Sequence, residues 1–182
     1  MSGSVPYDRP MRIFFVCTGN VCRSPTAERL TSAYAAEAGR TDLTAHSGGT
    51  RAMVGHGMEP TAALVLQQLG GDPEGFTAQR ISPQLAEDSD MVITMSERQR
   101  NKVVEVAPRM MRVTFTLKEA ARLMEASGAT TVAELAAARA QHTAEPGPED
   151  ITDPMGQDEE TFVAVGSEIA DLLLPLLARI RV

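Results

Sequence analysis

The sequence is poor in several residue types that define particular protein classes. It has two cysteines, no tryptophan, and only two lysines, Lys102 and Lys118, among 17 basic residues. Two cysteines are too few for a disulfide-rich secreted scaffold. No run of about 18 apolar residues is present, so we expect no membrane-spanning helix and no membrane partner. The polar start MSGSVPYDRP lacks the apolar centre of a signal peptide, which predicts a cytoplasmic location.

The charge balance limits the partners further. The formal net charge is -7, whereas general nucleic-acid binders present basic surfaces, so nucleic acid is not an expected partner. A local basic site on an acidic protein can still bind an anionic substrate. In a reducing compartment, two cysteines favour chemistry or packing over a structural disulfide.

What the sequence does contain is a regular alternation of apolar strands and amphipathic helices, over a length suited to one domain. Short runs of branched and aromatic residues predict strands at 12–17, 43–47, 90–95 and 112–115. Helices are predicted from Ser24, as the N-cap, to Gly39, and at 60–69, 97–106, 117–126 and 159–180. Capping-box spacings at Ser96–Gln99 and Thr116–Glu119 support two of these helix starts. The alternation predicts an α/β fold, a four-stranded parallel sheet with helices on both faces.

Residues 126–150 interrupt this alternation. They contain a short helix, introduced by the capping-box pair Thr131 and Glu134, and the loop TAEPGPED. We interpret the segment as a surface insertion in a single domain that spans 1–182, and a functional lid is the alternative.

Both cysteines lie in the stretch FFVCTGNVCRSP, residues 14–25, between the first predicted strand and the first predicted helix. In open α/β sheets, ligands bind at the carboxyl ends of strands, and helix N-terminal amides attract anions. We therefore expect residues 18–23 to wrap a tetrahedral oxyanion, with Arg23 binding two of its oxygens. No Gly-Lys-Ser/Thr follows, which excludes a nucleotide P-loop.

Cys17 is the candidate nucleophile. Amide dipoles and Arg23 favour its thiolate, which is the reactive form, and the Ser24 hydroxyl can donate to it. The pattern predicts attack on a phosphoester through a phosphocysteine intermediate. A buried core cysteine is the alternative, but it leaves the glycine, asparagine and arginine of the loop unexplained. For Cys22, a packing role and a functional role fit the sequence equally well.

The stretch VCTGNVCRSPTAERL closely resembles the Val-Cys-x-Gly-Asn-x-Cys-Arg-Ser-Pro motif of low-molecular-weight protein phosphatases. Further along the chain, HSGGT at 46–50 is similar to the second strand of that family and DMVITM at 90–95 to its third strand. TDPMG at 152–156 is similar to its Asp-Pro loop. The resemblance covers most of the chain and implies the same four-stranded parallel fold, with the phosphate-binding loop after the first strand.

The resemblance implies catalytic roles at three matching positions. Cys17 is expected to be the nucleophile and Arg23 to bind the phosphate. Asp153 is expected to protonate the leaving group and then to activate water, a role that gives roughly 10²–10⁴-fold acceleration. No metal or other cofactor is expected, because backbone amides and Arg23 neutralise the phosphoryl charge.

Other positions are expected to shape the loop and the substrate pocket. Asn20 matches the residue that holds the loop by a hydrogen bond to Ser47, and Ser24 matches the residue that stabilises the thiolate. The remaining expected substrate-binding residues are Thr18, Gly19, Val21, Cys22, Met53 and Met155.

Departures from the family pattern bear on the substrate. Met53 and Met155 stand where tyrosine-selective members usually have aromatic residues. The DPMG loop is similar to the bacterial branch that includes protein arginine phosphatases, but those have threonine where this chain has Val21. We expect Val21 to face the leaving group from the loop rim, which favours phosphotyrosine over phosphoarginine. A phosphorylated protein is therefore the expected partner.

Two other functions share the oxyanion loop. Arsenate reductases have the same fold, but thioredoxin-coupled forms need further cysteines and this chain has none after Cys22. A non-catalytic phosphate-binding module is the second alternative, and the presence of Cys17, Arg23 and Asp153 argues against it.

Overall fold

The computed structural model describes residues 9–144 and 147–181. The strands form one parallel sheet, which confirms the predicted fold class. They are β1 Met11–Cys17, β2 Leu43–Gly49, β3 Met91–Thr94 and β4 Thr114–Thr116, in the order β2-β1-β3-β4. The chain leaves β1 toward β2 on one side and reaches β3 on the other. The end of β1 is therefore a topological switch point, where open α/β sheets leave a crevice for ligands.

Seven α-helices are described around this sheet. They are α1 Arg23–Glu37, α2 Pro60–Gln68, α3 Pro83–Glu87, α4 Glu97–Val106, α5 Leu117–Ser127, α6 Val132–Ala138 and α7 Glu159–Arg179. Both side-chain bonds of a capping box are present at Thr116–Glu119 and at Thr131–Glu134. Gly39 follows α1 with φ 64°, the left-handed conformation that ends helices.

Three local predictions differ from the structure. The last strand begins at Thr114 instead of residue 112, because Pro108–Val113 forms a 3₁₀ helix and the Thr114 hydroxyl bonds to its Met110 carbonyl at 2.7 Å. The short helix α3 was not predicted, although Ser82 caps it. Helix α1 begins at Arg23 rather than after a Ser24 cap, and Cys22 at its N-cap makes no side-chain bond. Its first amides are therefore open to a ligand.

The sheet is buried on both faces, as expected for parallel strands. Alternate residues of β1 enter different cores. Ile13 and Phe15 pack in the core that contains α1, α5 and α7, whereas Phe14 and Val16 pack with residues of α3 and α4. A strand buried on both sides is rigid, so the residue at its end, Cys17, has a fixed position.

Helix α7 is long and apolar enough to cross a membrane by length and composition alone, with a mean hydropathy of 1.6 over its most apolar 18 residues. In the fold, however, it packs against α1, α2 and α5. Ile169 and Leu173 on its inner face are fully buried. We interpret it as a core helix, which passes the same test when one face is inside the protein.

The segment 126–150 contributes to the core as well as to the surface. Leu135 of α6 is fully buried, and Ala129 and Ala138 are nearly so, in the same core as β1. Residues 145 and 146 lie outside the described part of the chain. The interpretation as a surface insertion in one domain stays a prediction.

Close backbone approach at Gly49 gives a stability prediction. A Cβ atom at Gly49 would collide with the Thr18 carbonyl oxygen and lie 3.0 Å from Ala52 Cα. Backbone atoms cannot move aside cheaply, so Gly49→Ala should lower the free energy of unfolding by about 1–3 kcal/mol in urea denaturation. Gly57→Ala is the control, since its nearest neighbour would be 3.9 Å away, and it should change stability by less than about 1 kcal/mol. Equal stability of the two variants would contradict the close approach.

Candidate active site

The loop after β1 has its backbone carbonyls satisfied from outside. Amides of the segment 50–59 donate to four of them at 2.9–3.0 Å, in the pairs Thr50–Cys17, Arg51–Thr18, Met53–Gly19 and Glu59–Val21. In a trans peptide, the N–H of the next residue points opposite to the carbonyl. The N–H groups of residues 18, 19, 20 and 22 therefore turn away from that segment, into the loop. Converging amides of this kind form an anion-binding nest.

Asn20 holds the turn that makes this nest. Its φ is 57°, the one positive value at a non-glycine position among the described residues, and asparagine tolerates that conformation best after glycine. Its side chain is fully buried. The Oδ1 atom accepts from the Gln79 amide, and Nδ2 donates to Ser24 Oγ and Ser47 Oγ, each at 2.9 Å. The hydrogen bond to Ser47 that the resemblance implied is present.

These contacts fix the direction of a hydrogen-bond chain. Because the amide nitrogen of Asn20 only donates, both serine oxygens act as acceptors toward it. The Ser24 hydroxyl hydrogen is then free for the Cys17 Sγ at 2.9 Å, and the Ser47 hydrogen is free for Glu28 Oε1 at 3.0 Å. Ser24 can therefore donate to the cysteine sulfur, the arrangement that stabilises a thiolate.

Glu28 closes this chain and was missed by sequence reasoning. Burial raises the pKa of its carboxyl above the ordinary value, while hydrogen bonds from Ser47 and Arg29 act in the opposite direction. Arg29 donates to its second oxygen at 2.9 Å. On a helix, a charged residue followed by arginine is usually a solvated pair, so only the fold reveals its contact with Ser47.

Gln99 is a second residue that sequence reasoning misplaced. Its spacing from Ser96 predicted a capping box, and Ser96 does accept the Gln99 amide at 3.2 Å. The Gln99 side chain instead accepts from the Met95 amide at 2.9 Å and donates to Thr18 Oγ1 at 3.1 Å. It joins the end of β3 to the loop after β1.

Arg23 and Asp153 lie together beside the loop. Arg23 is 5% exposed, and its Nη1 donates to the Ile151 carbonyl at 2.9 Å. Its Nη2 lies 3.5 Å from the Asp153 carboxylate, whose side chain is half exposed. The other Asp153 oxygen accepts from the Met155 amide at 3.1 Å. The structure thus brings the predicted acid to the predicted phosphate ligand from distant parts of the sequence.

The two cysteines have different surroundings. Cys17 is 2% exposed at the floor of the loop and bonds to Ser24. Burial raises the pKa of the Cys22 thiol well above its ordinary value, and nearby negative groups, Cys17 first among them, raise it further. The Cys22 thiol lies against Met155, with the two sulfurs 3.3 Å apart. Cys22 is therefore a protonated, packed thiol at neutral pH.

The rim of the loop differs from the sequence expectation at Val21. This side chain is 3% exposed and packs in an apolar cluster with Phe76, so it does not stand at an exposed rim. Burial of an apolar side chain stabilises the folded state, which favours this packed position. Met53 and Met155 are 41% and 43% exposed, as befits rim residues.

Comparisons with known proteins agree with this geometry. The family model described as low molecular weight phosphotyrosine protein phosphatase matches residues 12–126. The protein-tyrosine-phosphatase Wzb of Escherichia coli K12 is 42% identical over 98 residues, which are 54% of this chain and 63% of Wzb. Ptp of Acinetobacter johnsonii is 31% identical over 105 residues, or 58% and 70% of the two chains. The match spans less than two thirds of Wzb, and Asp153 lies outside the span of the family model.

Solved structures extend the likeness to nearly the whole fold. A low molecular weight protein tyrosine phosphatase from T. tengcongensis superimposes with a TM-score of 0.74 and 27% identity, over 93% of this chain and 99% of the other. The YwlE arginine phosphatase superimposes with a TM-score of 0.72 and 26% identity, over 92% and 94%. The family model covers more than half of the sequence and includes the loop from Cys17 to Arg23. This chain therefore belongs to the low molecular weight phosphotyrosine protein phosphatase family.

Proposed function

We propose that this protein hydrolyses phosphotyrosine in proteins through a phosphocysteine intermediate. One observation carries the proposal: the Cys17 sulfur lies 2.9 Å from the Ser24 hydroxyl, which is free to donate to it, on the floor of a loop whose carbonyls are bonded from outside. The buried Arg23 and the exposed Asp153 lie at its edge. A thiolate nucleophile, an oxyanion site and an acid are the three groups that phosphoester transfer requires.

We assign each group a step. The inward amides and Arg23 bind the phosphoryl oxygens and neutralise the charge that spreads over them in the transition state. The Cys17 thiolate attacks phosphorus opposite the leaving oxygen, and Asp153 gives that oxygen its proton. In the second step, Asp153 takes a proton from water, which attacks the phosphocysteine and releases phosphate. The Ser24 donor stabilises the thiolate as it leaves.

The similar proteins support a covalent intermediate and a protein substrate. YwlE has been captured as a cysteine-to-serine mutant with a phosphorylated active site serine. Wzb and Ptp are protein-tyrosine-phosphatases. We infer that a phosphorylated protein is the partner here and that the reaction takes place in the cytoplasm.

Arginine phosphatase activity is the second candidate. The likeness to YwlE favours it, as does the rim, where the flexible methionines 53 and 155 replace stacking aromatic rings. The likeness to Wzb and Ptp favours phosphotyrosine. No observation favours thioredoxin-coupled arsenate reduction, because the sequence has no cysteine after Cys22 that could relay electrons.

Substitution of the nucleophile and the acid tests the reaction. Cys17→Ser should abolish turnover of aryl phosphates while phosphate binding, measured by calorimetry, persists through the amides and Arg23. Asp153→Asn should slow poor leaving groups by roughly 10²–10⁴-fold and good leaving groups much less. Cys22→Ser is the matched control and should retain turnover. Normal turnover by Cys17→Ser would falsify the mechanism.

A rim substitution tests the substrate class. The native enzyme should hydrolyse phosphotyrosine peptides faster than phosphoarginine peptides at matched concentration. Met53→Trp adds an aromatic wall worth about 0.5–1.5 kcal/mol, so kcat/KM for phosphotyrosine should rise severalfold relative to phosphoarginine. Met111→Trp is the control, since that exposed methionine precedes β4, away from the loop, and the change should leave the ratio as it is. Faster phosphoarginine turnover by the native enzyme would establish the second candidate instead.

Peroxide should inactivate the enzyme reversibly. Hydrogen peroxide oxidises the Cys17 thiolate to a sulfenic acid, and the Cys22 thiolate then attacks that sulfur, releasing hydroxide and forming a disulfide. Because the pKa of Cys22 is raised, its thiolate fraction grows with pH, and disulfide formation should accelerate from about pH 7 to pH 9. In Cys22→Ser no disulfide can form, and a second peroxide oxidises the Cys17 sulfenic acid to the irreversible sulfinic acid, so thiol reductant should restore the native enzyme but not this variant. Equal recovery of both proteins would reduce Cys22 to a packing role.

A further inference from the structure

A groove beside the phosphate-binding loop has no role in the reaction described above. It is open, has a volume of about 580 Å³, and lies between the loop, the start of α4 and the segments that follow β2. Thr18 and Gln99 line it, and the hydrogen bond between them joins its wall to the loop. A molecule in the groove therefore lies next to any phosphoryl group bound by the inward amides.

The groove is basic, although the protein carries a net charge of -7. Arg51, Arg80, Arg98 and Lys102 line it, against one acidic residue, Glu105. Glu105 is already paired with Lys102, at 3.0 Å. Three arginines thus remain as an excess of positive charge on a short stretch of surface.

These three arginines differ from most others in the molecule. Arg29, Arg40, Arg122 and Arg139 each form an ion pair with a carboxylate at 2.7–3.0 Å. Arg51, Arg80 and Arg98 make no ion pair and no side-chain hydrogen bond with any residue in 9–144 or 147–181. All three residues are exposed and line the same concave surface. Each offers a planar fork of donors that matches a carboxylate or a phosphate.

We propose that this groove binds a second anionic group of the phosphorylated protein substrate. The group is a cluster of carboxylates or another phosphoryl group on the same chain, close in sequence to the residue that enters the loop. Both share the geometry that arginine recognises. The proposal rests on the protein phosphatase activity proposed above and adds a preference among substrates.

The expected size of this substrate preference follows from the exposure of the three arginines. An exposed ion pair contributes a modest factor, about two- to fivefold in affinity, and salt screens it. Two or three such pairs should raise kcat/KM by roughly tenfold for a peptide with acidic flanks over one with neutral flanks. The preference should decline as salt is raised, since the groove is open to solvent.

The test compares three phosphotyrosine peptides of equal length. One has aspartate and glutamate flanks, one has glutamine and serine flanks, and one is neutral except for a second phosphoryl group. The double variant Arg80→Gln/Arg98→Gln removes two groove charges, and Arg51 is kept because it lies in the segment that holds the loop. The control Arg109→Gln/Arg112→Gln removes two exposed charges at the other end of the sheet. Thermal unfolding checks that both variants fold.

The native enzyme and the control should prefer one or both anionic peptides about tenfold, and the groove variant should lower that preference to about twofold or less. The peptide that responds identifies the source of the anion. Equal kcat/KM for all three peptides with the native enzyme, or an undiminished preference in the groove variant, would overturn the proposal. Turnover of a small aryl phosphate separates the two claims. If aryl phosphate turnover is normal while kcat/KM is equal for the three peptides, only the groove proposal is wrong. If aryl phosphate turnover is absent, the proposed phosphatase function is itself wrong.

Discussion

The buried side chain of Asn20 is the contact on which the site depends. A loop can bind an oxyanion through its amides only when its carbonyls point away from the anion. A residue in the left-handed backbone conformation turns the chain in this way. Asn20 adopts that conformation, and its amide group bonds to the Gln79 backbone, Ser24 and Ser47. The same side chain therefore fixes the loop and directs the Ser24 hydroxyl to the nucleophile.

The rest of the fold holds this loop from three sides. Strand β1, buried on both faces, fixes Cys17, and α1 begins where the loop ends, with uncapped amides. Amides of the segment after β2 donate to the outward carbonyls of the loop, and Gln99 joins the loop to the end of β3. A preorganised site of this kind needs little rearrangement as charge develops on phosphorus, which is the main source of catalysis in phosphoryl transfer.

Sequence reasoning succeeded where a property is local. The sheet, two capping boxes and the strand-loop-helix junction follow from periodicity and from residues three apart. Sequence reasoning failed where a side chain contacts a segment that is distant in sequence. Gln99 has the spacing of a cap but bonds to Thr18, and Glu28 bonds to Ser47. Val21 sits in an exposed-looking loop but packs under it. Asp153 could be chosen only through a motif, since no spacing relates it to Cys17.

The covalent intermediate is the central claim, and rapid acid quench during turnover of an aryl phosphate tests it most directly. The enzyme is digested after the quench and its peptides are analysed by mass spectrometry. The account predicts one phosphoryl group on the peptide that contains Cys17, present during turnover and absent once the substrate is exhausted. Full turnover with no phosphoryl group on Cys17, or with the group on another residue, would contradict it.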